Sequence, residues 1–280
     1  MQMITPPEER LILSHAYVPE HLPGYVRAIS GAEPHLLGDY LCFRVEDSLL
    51  FNGYPLEIPF DETTLGRAIE SALSRFKPRH VALIAPKIPE ALAAGQPRER
   101  DQCYRLDLTQ AIRDAKLRNM LRRAAQDARV ESSRDIGEEH LSLIGEFLLV
   151  HPVSEEIRYI FERIPAYVSA VPTARVFSAR NRAGALTAFD VAEFGARDYA
   201  FYQFNFRSRK HYVPGASDLL LDAVIATAQS EGKRFLNLGL GINPGVRRFK
   251  EKWGGKPFLT YEYCRYTPGP PTLFDLLLRK

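Results

Sequence analysis

The residues best placed to do chemistry lie between Tyr199 and Tyr263. A strand there runs into the turn Pro214-Gly215-Ala216 and then a helix expected to be capped by Ser217. The first N–H groups of a helix have no internal partner, so such a junction can hold an anion. Asp218 competes with that use, because a carboxylate in the first turn can take those donors and repel phosphate. Simple capping is therefore the commoner outcome for such a sequence. Gly239-Leu240-Gly241 with Gly245 has glycines like those of a dinucleotide loop. It runs into Arg247-Arg248-Phe249-Lys250 instead of a βαβ unit with a later acidic residue, so it reads as a turn that brings backbone close to a neighbour. The seven histidines form no HxxxH or His/Cys cluster, and no metal site is expected. His211 stands apart because it sits beside Arg209, Lys210 and Tyr212 at the proposed turn. There is no GxSxG elbow and no spaced triad.

The chain that must position these residues has 280 of them, 45% hydrophobic and 25% charged, with 37 Lys+Arg against 34 Asp+Glu. That is globular composition, long enough for one large or two modest domains. A net charge of +3 is too mild to imply a nucleic-acid partner by itself. Cys42, Cys103 and Cys264 are too few and too scattered for a disulfide framework, which fits a reducing compartment. The opening residues carry Thr-Pro-Pro-Glu-Glu where an export signal needs a basic and then an apolar stretch, and the apolar runs fall short of the roughly 18–20 residues of a membrane span. The expectation is a cytoplasmic protein, with any membrane contact peripheral to the inner face.

Periodicity predicts a hairpin of Tyr40–Val45 and Ser48–Asn52, then a helix capped by Asp61 with Leu65, Ile69, Leu73 and Phe76 on one face. A buried strand His80–Ala85, a loop Gly95–Asp101 and a strand Cys103–Leu108 follow. Ile112–Ala128 reads as the most basic helix, with Arg113, Lys116, Arg118, Arg122, Arg123 and, just after it, Arg129 off its apolar face. Its charges suit phosphates, although Asp114 and Asp127 dilute them and a solvated face is the commoner reading. Glu138–Val150 and Ser154–Ile164 are further helices. Strands Ala174–Ala179, Ala185–Phe194 and Tyr199–Phe206, a helix ended by Gly232, and strands Phe235–Leu238 and Phe258–Tyr263 repeat the earlier order at larger size.

Two segments resemble known families. Pro214 to Tyr263, with Phe249, Lys250, Trp253 and Gly254, is similar to the C-terminal part of tandem members of the GNAT superfamily. Tyr104 to Glu131, with Arg118, Asn119, Arg122, Arg123 and Ala124, resembles the strand and basic helix of Fem-type peptidoglycan aminoacyltransferases. Arg207 to Asp218 is similar to the corresponding stretch of the phosphatidylglycerol lysyltransferase C-terminal domain. The resemblance implies an α/β (α+β) protein of two GNAT-like halves, residues 1–108 and 109–280, each a mixed sheet flanked by helices, sharing a cleft with the active site in the second half.

It also implies acyl or aminoacyl transfer from an activated donor, acyl-CoA or aminoacyl-tRNA, to an amine or hydroxyl of the cell envelope or a lipid, with no tightly bound cofactor. The competing reading is a catalytically silent GNAT-like module that binds an anionic ligand or a protein partner. Acyl transfer needs a base, an oxyanion donor and alignment of the reactants. Lys250 matches the family lysine and would stabilise negative charge. Asp190 or Glu193, of opposite parity on one strand, would be the base. His211, Tyr212, Gly215, Ala216 and Ser217 would meet the donor, and Tyr202, Gln203 and Asn205 the acceptor. Tyr261 is a candidate proton donor that reads equally as core. The turn keeps only the central glycine of the acetyl-CoA-binding pattern.

Overall fold

The computed structural model describes residues 4–92, 96–110 and 114–268. In chain order its first elements are α1 (Pro6–His15), α2 (Pro23–Ser30), β1 (Glu33–Leu37), β2 (Tyr40–Val45), β3 (Ser48–Asn52), α3 (Glu62–Phe76) and β4 (His80–Ala85). Then come β5 (Arg98–Asp107), α4 (Ala115–Asp127), β6 (Ala128–Ser133), α5 (Glu138–Val150), α6 (Glu155–Glu162) and α7 (Ile164–Ala170). The last are β7 (Ala174–Asn181), β8 (Leu186–Glu193), β9 (Tyr199–Arg207), α8 (Ala216–Ser230), β10 (Phe235–Leu240), α9 (Pro244–Lys252) and β11 (Lys256–Tyr266).

Contacts divide the chain into two compact units. The first takes residues up to Arg10, Gly31–Gln102 and Leu259 onward; the second takes Leu11–Ser30 and Cys103–Phe258. The sequence expectation divided the chain once, at 108/109. The division is interleaved because residues 11–30 are tied to the later strands: Asn237 Nδ2 donates to the Tyr17 carbonyl at 2.8 Å and Arg197 N to the Leu13 carbonyl at 2.9 Å. The C-terminal strand likewise pairs antiparallel with β4, from Glu262↔Ala85 to Tyr266↔Val81.

In the first unit the strand order is β1-β2-β3-β4-β11, with β3 and β4 parallel and joined through α3. Asp61 caps α3 by accepting from Thr64 N at 2.7 Å, and Leu65, Ile69, Ala72 and Phe76 form its buried face. They pack on Cys42, Phe51 and Leu83 of the sheet, each large side chain contributing about 1.5–3 kcal/mol of apolar burial.

In the second unit the order is β5-β10-β9-β8-β7-β6. One face carries α8, whose Leu220, Leu221, Val224 and Ile225 pack on Ala188, Ala192 and Ala200. The other face carries α5 and α7, with Leu143, Ile144, Tyr167 and Val168 against Phe189, Val191 and Phe206. Strand β8 is buried along its whole length, as a strand covered on both faces must be.

Several elements differ from the sequence reading. Residues 98–101, expected as loop, begin β5. The basic helix starts after its Asp114 cap, which accepts from Leu117 N at 2.6 Å, and gives way to strand at Ala128; Arg113 lies outside the described residues. The helix expected over Ser154–Ile164 breaks at Arg163, with Pro165 in the first turn of α7. Helices α1, α2 and α9 and strands β1 and β6 had no counterpart in that reading.

Candidate functional site

The site is built on a fork in the second sheet. Strands β9 and β10 pair in parallel only at Tyr199↔Phe235, Ala200↔Leu236 and Phe201↔Asn237, although β9 continues to Arg207 and β10 to Leu240. Where they part, Gln203 is the extra residue of a bulge, since Phe204 pairs with Val191 and Tyr202 with Ala192. On the β10 side, side chains serve the backbone: Asn237 Oδ1 accepts from Gly239 N at 2.7 Å, and Lys250 Nζ donates to the Leu240 carbonyl at 2.5 Å.

Helix α8 begins beside the fork. Its N-cap is Gly215 at φ +81°, not Ser217, and a Cβ on that glycine would meet the Ala124 Cβ of α4 at 2.9 Å. Both the backbone angle and the close approach of α4 therefore require glycine. Ser217 instead reaches Asn205, whose Nδ2 lies 3.3 Å from its Oγ. Asp218 does not serve the helix donors as expected. Its Oδ1 accepts from Trp253 Nε1 at 2.9 Å and pairs with Lys252 Nζ at 2.5 Å, which fastens the first turn of α8 to the end of α9.

Asp190 lies under this turn with no exposed surface. Asn205, its cross-strand partner, donates Nδ2 to Asp190 Oδ1 at 2.5 Å. Burial holds the Asp190 carboxyl well above the usual carboxylate range, opposed by Asn205 and by the nearby Tyr202 phenol. That phenol stands close without forming a hydrogen bond of good geometry, so Asp190 Oδ2 and Tyr202 Oη are both enclosed and unpartnered. Burial and the neighbouring Asp190 raise the Tyr202 phenol in turn.

Glu193 points to the other face, as the parity argument requires. Its Oε2 accepts from Tyr167 Oη at 2.8 Å, and its Oε1 accepts from Gly195 N at 3.0 Å and from the Thr173 hydroxyl. Burial raises its pKa against these bonds. A carboxylate holding three donors is a tie between α7, β8 and the turn after it.

Lys250 is 4% exposed and lies 5.8 Å from the Tyr104 ring centroid. It is a buried latch on the β10 branch of the fork rather than a surface lysine. Tyr212 is exposed, with the Arg207 guanidinium 5.9 Å from its ring, and His211 N donates to Ser208 Oγ at 3.0 Å. Thus Asp190, Tyr202, Asn205, Gly215, Ala216 and Ser217 share the α8 face, while Gln203 and Glu193 belong with the opposite one.

The sequence reading missed the residues that complete that opposite face. Tyr25 of α2 meets Tyr167 edge to face at 5.0 Å, and Tyr167 touches Glu193. Glu20, in the short turn of helix Pro19–His21, acts on Tyr25 electrostatically. Asn237 was legible in principle, being an amide in an otherwise apolar strand. Tyr25 was not, because no local pattern carries it onto Tyr167 of the much later helix α7.

No protein-family model matches the chain, and no curated protein does. Solved structures do. The C-terminal domain of a protein named as a lysylphosphatidylglycerol synthetase from Agrobacterium fabrum has 18% identity, covers 92% of this chain and 90% of that chain, and superposes with a TM-score of 0.60. FemX has 11% identity over 94% and 96% of the two chains, TM-score 0.57. A GCN5-related N-acetyltransferase from Kribbella flavida has 14% identity over 95% and 97%, TM-score 0.55. The fold is GNAT-like. The expected mixed α/β architecture and the family resemblance of the C-terminal segments are therefore met at the level of fold. Among the described residues no helix of this GNAT-like chain is long and apolar enough to cross a membrane. No group of three His, Cys, Asp or Glu among them is placed to hold a metal.

Proposed function

We propose that this GNAT-like chain is an acyl- or aminoacyltransferase, moving the acyl group of acyl-CoA or aminoacyl-tRNA to an amine or hydroxyl acceptor of the cell envelope or a lipid. The observation that carries the reading is the fork: two parallel strands that separate beside a helix N-terminus leave room for an extended donor to reach the sheet interior with its reactive carbonyl aligned. Cations surround the α8 side of it. Met120 of α4 packs near Gly215 and Lys252, which sets the charged residues of α4 and α9 close to the start of α8, just after Arg207, Arg209 and Lys210. Such a surface suits an anionic donor.

In this reading Tyr212 and His211 flank the donor and Ser217 lies at its entry. Lys250 acts by fixing the Leu240 carbonyl and with it the β10 branch. Association with the inner membrane face belongs to the same proposal, through the acceptor.

The experiment is transfer itself. Acetyl-CoA, longer acyl-CoAs and aminoacyl-tRNA, each labelled in the acyl group, are incubated with the protein and a panel of amines and hydroxyl lipids, and labelled product is separated. Label moving to an acceptor supports the reading. Binding of a donor with no transfer to any acceptor overturns it in favour of a GNAT-like binding module, which the anchoring of Asp218 and Lys250 within the fold favours.

A further inference from the structure

Helices α4 and α9 meet beside the start of α8, and their outward sides are cationic. Met120 of α4 lies against Lys252 of α9, with Sδ and Nζ 4.0 Å apart. Residues three or four apart share a helix face, so Lys116 and Arg123 flank Met120 on α4, and Arg248 stands one turn before Lys252 on α9. Lys116, Arg123 and Arg248 are exposed, and the Met120–Lys252 contact draws them into one patch. The carboxylates at the two ends of α4 are engaged elsewhere: Asp114 accepts from Leu117 N at 2.6 Å, and Asp127 pairs with Arg182 at 3.2 Å. Glu251 of α9 lies 3.5 Å from the Tyr104 hydroxyl, and Asp218 holds Trp253 together with Lys252.

An apolar knob stands at the end of this patch. Ile242, in the turn that joins β10 to α9, is 69% exposed and has φ +54°. A β-branched residue enters the left-handed region only at a cost, and glycine or asparagine fits there more easily. The turn is held from both sides. Lys250 Nζ donates to the Leu240 carbonyl at 2.5 Å, Asn243 N donates to the Gly241 carbonyl at 2.6 Å, and Asn243 Oδ1 accepts from Gly245 N at 2.9 Å and Val246 N at 3.0 Å. An aliphatic side chain both strained and presented to water is doubly unfavourable in the free protein, and burial in an apolar phase offsets that.

We propose that this face of α4 and α9 docks on an anionic lipid bilayer, with Lys116, Arg123, Arg248 and Lys252 at the headgroups and Ile242 entering the acyl boundary. The inference deepens the membrane association in the proposed function by giving it a surface and a lipid charge. Charge complementarity selects an anionic partner. The knob then selects lipid among anions, because a bilayer places hydrocarbon just beneath its phosphates, where an aliphatic side chain gains by entering. A nucleic acid also offers phosphates, but a single strand is held beyond them by stacking on aromatic rings. Phe249, the ring on α9, packs on the core and has the Lys252 ammonium 5.0 Å from its centroid.

The test sediments the full chain with lipid vesicles, with no acyl donor present. Vesicles of phosphatidylcholine with about one-third phosphatidylglycerol should bind it, and vesicles of phosphatidylcholine alone at least about tenfold more weakly. Raising the salt from about 0.1 to about 0.5 M should weaken the anionic vesicles by about tenfold, as screening shortens the reach of the charges. The double variant Arg123→Glu/Arg248→Glu, shown folded by circular dichroism, should bind them at least about tenfold more weakly. Ile242→Asn should bind about fivefold more weakly while its thermal unfolding midpoint does not fall, since asparagine accepts a positive φ. Weaker binding by a chain no less stable separates a lost contact from a damaged fold. Equal binding to neutral vesicles, no binding to anionic ones, or unchanged affinity in either variant overturns the bilayer. A single-stranded RNA of about 20 nucleotides that binds more tightly than the vesicles, through the same two arginines and without regard to Ile242, overturns it in favour of nucleic acid. Vesicle binding that both variants weaken upholds the surface even where no donor supports transfer, and its loss leaves the transfer assay to decide the reaction.

Discussion

In the second unit each face of the strands buries a carboxyl beside a tyrosine, Asp190 near Tyr202 and Glu193 bonded to Tyr167, and the two are held differently. Under α8, Asp190 is sealed. Asn205 bonds to it, Ser217 bonds to Asn205, and Trp253 with Lys252 closes the first turn above by holding Asp218. Burial holds its carboxyl well above the ordinary carboxylate range, which favours the protonated form in a packed network. Across the sheet, Glu193 is held by three donors, the Tyr167 and Thr173 hydroxyls and Gly195 N, against which burial raises its pKa.

The largest expected effect that sharpens this contrast comes from Glu193→Ala. It strips three buried donors of their acceptor and should cost about 3–5 kcal/mol in urea unfolding. Lys250→Met leaves the Leu240 carbonyl without the Nζ donor on the other side of the fork. About 2 kcal/mol should be lost in the same assay.

Smaller effects test the carboxyls directly. Because burial makes the folded Glu20 hold its proton more tightly than an ordinary glutamate, native stability falls as pH rises from about 4 to 7. Glu20→Gln should therefore be more stable than the native chain by about 1 kcal/mol at pH 8, after allowance for its partial exposure, and equal to it at pH 4, as measured by thermal unfolding. Asp190→Asn keeps an acceptor for Asn205 and should change stability by less than about 1 kcal/mol at pH 4. Its stability relative to the native chain should rise with pH, since the raised Asp190 value penalises the native fold above pH 3.8.

Much of the framework is written locally. Alternation fixed the hairpin of β2 and β3, the Asp61 cap and four-residue spacing fixed α3, and the run Glu138–Val150 was legible as a helix to its ends. The parity of Asp190 and Glu193 told that only one could face α8. By contrast, Ser217 and Asp218 looked like a cap and its acidic neighbour. Their actual partners, Asn205, Trp253 and Lys252, lie in other elements, and a left-handed Gly215 moved the helix start. Lys250 was singled out by type and motif, but its bond to Leu240 depends on how α9 packs back on β10.

What the sequence determined by itself is the periodic part: which residues alternate or recur every three to four positions, and hence which strands and helices form and which faces they bury. The tertiary structure alone decided that the parallel strands separate after Phe201 and Asn237, and that residues 11–30 join the second unit. The physical reason is range. Side-chain periodicity and capping act over a turn or a strand, whereas a carboxylate's solvation, and with it the difference between Asp190 and Glu20, is set by whatever the whole chain packs around it.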